Sequence, residues 1–247
     1  MLTKNILICG GSRGLGYEMV KNLLARDNFK IIVVSRNAKK LTRIKKIKSK
    51  NLDHYICDLS KEKRIVDLMK KLKKKYNSID LVISTAGTSN MVNTGKENYK
   101  EWLRAFNSNF FLQTNLVESF VKSFRGRKLK KIILVSSIAA YFKGGAPLSY
   151  SLAKNALNLY VENISIYLSK FNININTISP GHILQKNNLW GKKINKNRKK
   201  VIKFINKTVS LKRFCSPQDV INVVDFLMSD KSNYITGVDF KVDGKTS

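Results

Sequence analysis

The chain has 247 residues, of which 43% are hydrophobic and 26% charged, and 47 Lys+Arg against 16 Asp+Glu give a formal charge of +31. That length suits one sizeable α/β core, and the charge favours anionic partners. It argues against a dedicated nucleic-acid binder even so: 37 of the cations are Lys and only 10 are Arg, the residue whose planar fork reads bases and phosphates, and no zinc-finger spacing, basic region with heptads or RNP-type aromatic motif occurs.

Codon bias is a competing explanation of the charge, since 25 Asn accompany the many Lys and Ile. The three cysteines, Cys9, Cys57 and Cys215, form no C-x-x-C and are odd in number, so a reducing compartment is expected rather than a disulfide framework. MLTKN leads straight into ILIC without the regions of a signal peptide, and the apolar run at 132–142 is too short to span a bilayer of ~20 residues per helix. A cytoplasmic protein without membrane insertion is expected.

In chain order, NILIC reads as a strand and Leu15 to Arg26 as a helix. KIIVVS, a basic helix, HYIC, a second helix and LVIS follow, then IILVSS, a helix from about Ser149 to Lys170, NINTIS, and FKVDG as a last strand. Short β-branched runs alternating with helical patterns predict a Rossmann-type, doubly wound parallel sheet with helices on both faces. No repeat or Pro/Gly/Ser-rich linker interrupts it, so 1–247 is expected to be a single domain. In RIVDLMKKLKKKY, Ile65, Leu68, Met69, Leu72 and Tyr76 share one helical face, which leaves the lysines to solvent.

The first strand ends in CGGSRGLG, with Gly10, Gly14 and Gly16 before a helix. Glycines let the backbone approach a pyrophosphate, and the helix N-terminus offers free N–H groups and partial positive charge. A chain-reversing turn would use the same residues. The position closing the second strand, which faces the adenosine ribose in such folds, is Arg36. An acid there favours NAD; an Arg pairs with a 2′-phosphate, and Arg13 in the loop is a possible second clamp. The expectation is NADP(H), against the alternative of two unrelated surface arginines.

Tyr150 and Lys154, in SYSLAKN, lie i and i+4 on a helix and emerge on one face. A phenol near pKa ~10 is a poor base at neutral pH, and an adjacent ammonium makes it a better one. Ser137, at the end of IILVSS, could donate a hydrogen bond to a substrate oxygen. His54 and His182 do not approach metal-site spacing and read as structural or surface residues, with no metal expected.

Together these motifs resemble the short-chain dehydrogenase/reductases, in the large subfamily containing the β-ketoacyl carrier-protein reductases, over nearly the whole chain. CGGSRGLG is similar to the family's cofactor loop (Gly10, Ser12, Arg13, Gly14, Leu15, Gly16), CDLS to its adenine-side Asp58 and Leu59, and STAG, with Ala86 and Gly87, to its N-N-A-G. SPG, with Pro180, Gly181 and the nearby Ile183, resembles the loop flanking the nicotinamide, and SLKRF, FLMSD, YITG and VDG the C-terminal pattern. The resemblance implies a catalytic set of Asn109, Ser137, Tyr150 and Lys154. In it Tyr150 protonates the carbonyl oxygen and Ser137 orients it, Lys154 lowers the Tyr pKa and holds the ribose, and Asn109 holds a water joining Lys154 to solvent. It also implies a homodimer or homotetramer packed through the helices carrying Asn109 and Tyr150.

Five positions depart from the family: Cys9 replaces a Thr, Ser84 and Thr85 replace two Asn, Gln185 stands for the Thr near the carboxamide, and Lys245 replaces a terminal Gly. None removes a catalytic group. The segment covering the substrate in this family runs here from about 182 to 211 and contains KKINKNRKKVIKF, with no acid anywhere between Glu162 and Asp219. A basic cover would concentrate an anionic ketone, such as a carrier-bound 3-oxoacyl thioester, a CoA ester or a nucleotide-linked keto sugar. The alternatives are codon drift with a solvated loop and, for the chain as a whole, a catalytically silent cofactor-binding protein.

Overall fold

The computed structural model describes residues 4–26, 28–141, 145–185 and 188–246, and omits the side chains of residues 39 and 40. Strand β1 (Lys4–Cys9) buries Ile6, Leu7, Ile8 and Cys9 in succession, as a strand covered by helices on both sides must. It leads to α1 (Gly14–Leu24), β2 (Phe29–Ser35), the one-turn α2 (Thr42–Lys45), β3 (Leu52–Ile56), α3 (Glu62–Tyr76) and β4 (Leu81–Ser84). Helix α4 (Tyr99–Phe106) runs through a π-helical turn, Asn107–Phe111, into α5 (Leu112–Phe124). Then come β5 (Lys130–Val135), α6 (Leu148–Ser169), β6 (Ile173–Pro180), α7 (Leu189–Lys196), α8 (Arg198–Thr208), α9 (Pro217–Met228) and β7 (Asp239–Val242).

Among the described residues seven strands join one parallel sheet in the order β3-β2-β1-β4-β5-β6-β7. Strand order reverses between β1 and β4, which opens a crevice beyond their carboxyl ends where ligands of such sheets bind. Two cores flank the sheet. One joins Ile65, Met69 and Leu72 of α3 to Leu116 and Phe120 of α5 and Leu157 and Val161 of α6. The other joins Met19, Val20 and Leu23 of α1 to Val220, Val224 and Leu227 of α9.

The basic helix expected after β2 shrinks to a 3-10 turn, Ala38–Leu41, and the four residues of α2. Leu41 and Ile44 are its buried anchors, too few to offset repulsion among close-set cations. Not every lysine is solvated. Lys131, 9% exposed at the start of β5, donates to the Ser229 carbonyl at 2.5 Å and the Ser232 hydroxyl at 2.8 Å, beside the carbonyl end of α9.

Candidate active site

The glycines after β1 hold two chain segments in contact. Gly10 has φ +87°, and a Cβ there would stand 2.7 Å from Thr85 Oγ1; one on Gly16 would meet both Gly10 O and Thr85 Oγ1 at 2.5 Å. Helix α1 therefore starts directly on the turn. Its first residue follows Arg13, whose side chain makes no cap bond, and no acid lies in the first turn. The leading N–H groups remain open to an anion in the crevice. Ser12 and Ser35 share a buried hydroxyl contact at 3.0 Å, which fixes the loop to the end of β2. Arg13 and Arg36 are both exposed, and among the described residues neither guanidinium has a carboxylate partner. A glycine cradle, an uncapped helix start and two exposed arginines fit a phosphorylated dinucleotide.

Beyond β3, Asp58 accepts from the Ser60 amide at 3.1 Å and hydroxyl at 2.8 Å, while Leu59 is buried and its carbonyl accepts from Asn115 at 3.3 Å. The Ala86 carbonyl accepts from Gln113 Nε2 at 2.7 Å. Sequence reasoning missed Gln113 and Asn115. Their signal was available, as two amide side chains in the first turn of a helix that is mostly buried. At the substituted STAG, the Ser84 hydroxyl is buried without a hydrogen-bond partner among the described residues, whereas Thr85 Oγ1 reaches the Cys9 carbonyl at 3.4 Å. One of the two replaced interstrand bonds is thus partly remade.

Asn109 is fully buried within the π turn. Its Oδ1 accepts from the Thr88 amide at 3.0 Å, and its Nδ2 donates to the Thr88 carbonyl at 3.0 Å and the Ala105 carbonyl at 3.1 Å. That engagement accounts for the local widening of the helix, of the kind often found at functional sites. Gly87 separates this amide from Lys154: a Cβ on Gly87 would lie 2.8 Å from Asn109 Oδ1 and 3.6 Å from Lys154 Nζ.

Lys154, 3% exposed, donates to the Val135 carbonyl at 2.8 Å, and burial pushes its pKa down to about 8. Tyr150 stands half-buried one turn before it. Burial raises the phenol's pKa, and the Ser137 hydroxyl pulls it back. Ser137 Oγ also accepts from the Ala139 amide at 3.2 Å, capping the 3-10 turn Ile138–Ala140. Ser137 is thus the polar group that acts on the phenol, while the Lys154 ammonium addresses β5 and the space beside Gly87.

On the far wall, Pro180 is buried at the end of β6, and Gly181 passes so close to β7 that a Cβ would stand 2.8 Å from Asp243 Cα. Ile183 bridges to Cys215, and its carbonyl accepts from Asn188 at 2.6 Å. Gln185 lies across the crevice, its Oε1 3.4 Å from a Cβ placed on Gly14. Residues 186 and 187 of the basic segment lie outside the described residues. The rest is not a solvated loop: α7 and α8 form a helical pair on an aromatic plug, with Trp190 4.7 Å from His182, 5.4 Å from Phe204 and 5.7 Å from Phe214. His182 is thus a packing residue, its pKa lowered by burial and by Lys193. Lys192, Lys193, Lys196, Arg198, Lys199 and Lys200 remain exposed on the outside.

A glycine-cradled crevice at the strand-order switch, with a Ser–Tyr pair and a buried lysine on its wall, defines an NAD(P)-dependent oxidoreductase acting at a CH–OH/carbonyl centre. A family model described as Enoyl-(Acyl carrier protein) reductase matches residues 10–245, and the chain belongs to the short-chain dehydrogenase/reductase family. It is 30% identical over 246 residues to the 3-oxoacyl-[acyl-carrier-protein] reductase FabG of Buchnera aphidicola subsp. Schizaphis graminum, covering 98% of this chain and 96% of that one. It is 27% identical over 256 residues to the diacetyl reductase [(S)-acetoin forming] of Staphylococcus epidermidis, covering 98% of each. L-Sorbose reductase from Gluconobacter frateurii, solved with NADPH and L-sorbose, superposes with a TM-score of 0.89 at 22% identity, over 100% of this chain and 97% of that one.

Proposed function

We propose that the chain is an NADPH-dependent reductase of 3-oxoacyl thioesters carried by an acidic partner. The observation that carries the chemistry is the half-buried phenol of Tyr150 one helical turn before the buried Lys154 ammonium on α6, with Ser137 heading the 3-10 turn beyond β5. When bound, NADPH supplies the hydride. Ser137 would donate to the carbonyl oxygen, and Tyr150 would deliver the proton to it as negative charge develops there. Lys154, charged below about pH 8, would favour the phenolate left behind. The Asn109 amide is spent on Thr88 and Ala105, so its share in replacing that proton falls to its main chain. Arg13 and Arg36 would hold the 2′-phosphate, the loop from Gly10 to Gly16 the pyrophosphate, Asp58 and Leu59 the adenine side, and Pro180, Gly181 and Ile183 the nicotinamide, with Ala86 and Gly87 flooring the crevice.

The thioester reading is supported by the basic outer face of α7 and α8. Changing Lys192, Lys193, Lys199 and Lys200 together to Gln should raise KM for an acetoacetyl group on an acidic carrier protein by about tenfold or more, with little change for a neutral diketone. Equal effects on both would dismiss the acidic carrier. A crotonyl thioester in the same assay distinguishes carbonyl from enoyl reduction, and NADPH consumption with the crotonyl substrate alone would overturn the reading.

We also propose a homodimer or homotetramer in a cytoplasmic setting. Leu152, Leu159, Ile166 and Tyr167 of α6 are 44%, 55%, 72% and 49% exposed, which marks an apolar face on the helix that carries Tyr150. Light scattering should give a mass of two or four chains, and a monomer at micromolar concentration would refute it. Cys9, Cys57 and Cys215 are all free and buried, in keeping with a reducing compartment. No helix among the described residues is long and apolar enough to cross a membrane.

A further inference from the structure

The 3-10 turn that presents Ser137 ends at Tyr141, which is tied directly to β7 and α6 and, through Asp239, to β6. Its hydroxyl donates to Asp239 Oδ2 at 2.9 Å and accepts from Asn158 Nδ2 at 3.0 Å. Asn158 lies one helical turn beyond Lys154 on α6. The second oxygen of Asp239 accepts from Thr177 at 2.7 Å and from Ser179 at 2.8 Å, the latter directly before Pro180. Lys241 Nζ stands 3.9 Å over the Tyr141 ring, and Asn155 Nδ2 holds the Ala140 carbonyl at 3.1 Å. One carboxylate on β7 therefore gathers the turn after β5 and the end of β6, and through the Tyr141 hydroxyl reaches α6, the helix of Tyr150 and Lys154. Burial and then Asp239 push the phenol up to about 12, so it remains a donor at physiological pH.

We infer that Tyr141 and Asp239 are positioning residues for the reaction: their hydrogen bond ties the Ser137 turn to β7 and, with the Asn158 bond to the same hydroxyl, holds that turn against α6, and so sets where the Ser137 hydroxyl stands relative to Tyr150. Neither touches the reacting atoms. A surface tyrosine with only a packing role would need no carboxylate aimed at its hydroxyl, and the hold of Asp239 on β6 uses Oδ1 alone, leaving Oδ2 to Tyr141. The inference rests on the carbonyl-reductase reading for its kinetic consequence but not for its structural one.

The test uses the full chain with Tyr141→Phe, which keeps the ring, and Asp239→Asn. Backbone amide exchange at Ala140 and Tyr141, which bond to Ser137 O and Ile138 O at 3.0 and 2.9 Å, should quicken by about fivefold in Tyr141→Phe, the scale of one lost hydrogen bond. With NADPH and an acetoacetyl thioester, kcat should fall about tenfold, while KM and the NADPH dissociation constant stay within about twofold. Unchanged exchange in a cooperatively folded Tyr141→Phe protein overturns the brace, whatever the substrate. Quickened exchange with kcat unaltered overturns its part in the reaction. If the parent protein reduces no carbonyl, the functional reading fails, and the exchange result alone still decides whether the brace exists. Should Asp239→Asn not fold, Tyr141→Phe carries the test.

Discussion

Replacing Tyr150 by Phe should lower carbonyl reduction by about a thousandfold or more while leaving NADPH binding within about twofold, because the ring stays and only the proton donor goes. Stopped-flow turnover and the fluorescence of bound NADPH measure the two independently. A loss confined to binding would show that the hydroxyl holds the cofactor rather than moves a proton, and retained turnover would remove Tyr150 from the chemistry. The pH dependence carries a sign of its own. Lys154 is held at about 8 by burial, below the usual ammonium range, so its charge is present below that pH and lost as pH rises through it. Reduction measured as kcat/KM for NADPH, which reports the free enzyme, should therefore decline above about pH 8. A flat profile from neutral to alkaline pH would separate Lys154 from the reaction.

The second large effect concerns the choice of dinucleotide. Changing Arg13 and Arg36 together to Ser should raise the NADPH dissociation constant by about a hundredfold or more, with NADH binding changed only slightly, since each guanidinium would lose a charge-assisted bond to the extra phosphate. Isothermal titration with both cofactors gives the ratio directly. If NADH and NADPH weaken alike, the arginines act on the shared pyrophosphate, and the preference resides elsewhere.

What could be read from the residues alone depended on how local the signal was. Alternation of β-branched runs with helical periods is local and led to the doubly wound sheet. Tyr150 and Lys154 are one turn apart on a single helix, so their shared face followed from spacing. The basic stretch after β2 is helical as its pattern suggests, but its length was not legible there, since two buried residues anchor only a turn of each kind. The π turn at Asn107–Phe111 depends on Asn109 bonding to Thr88, 21 positions earlier, which no helical period encodes. The aromatic plug gathers residues 182, 190, 204 and 214 from separate elements, and Tyr141 meets Asp239 across 98 positions, so both emerge only once the chain is folded.

That plug bears on how the cationic face behaves in electrolyte. Helices α7 and α8 rest on Trp190, Phe204 and Phe214 rather than on ion pairs, since the segment contains no acid. Added salt shortens the reach of exposed charges to a few ångströms but barely weakens ring-on-ring packing. Ionic strength thus acts on long-range capture of a polyanion while the indole of Trp190 keeps its surroundings. Attraction and architecture in this segment are controlled by different forces and can be dialled apart in the buffer.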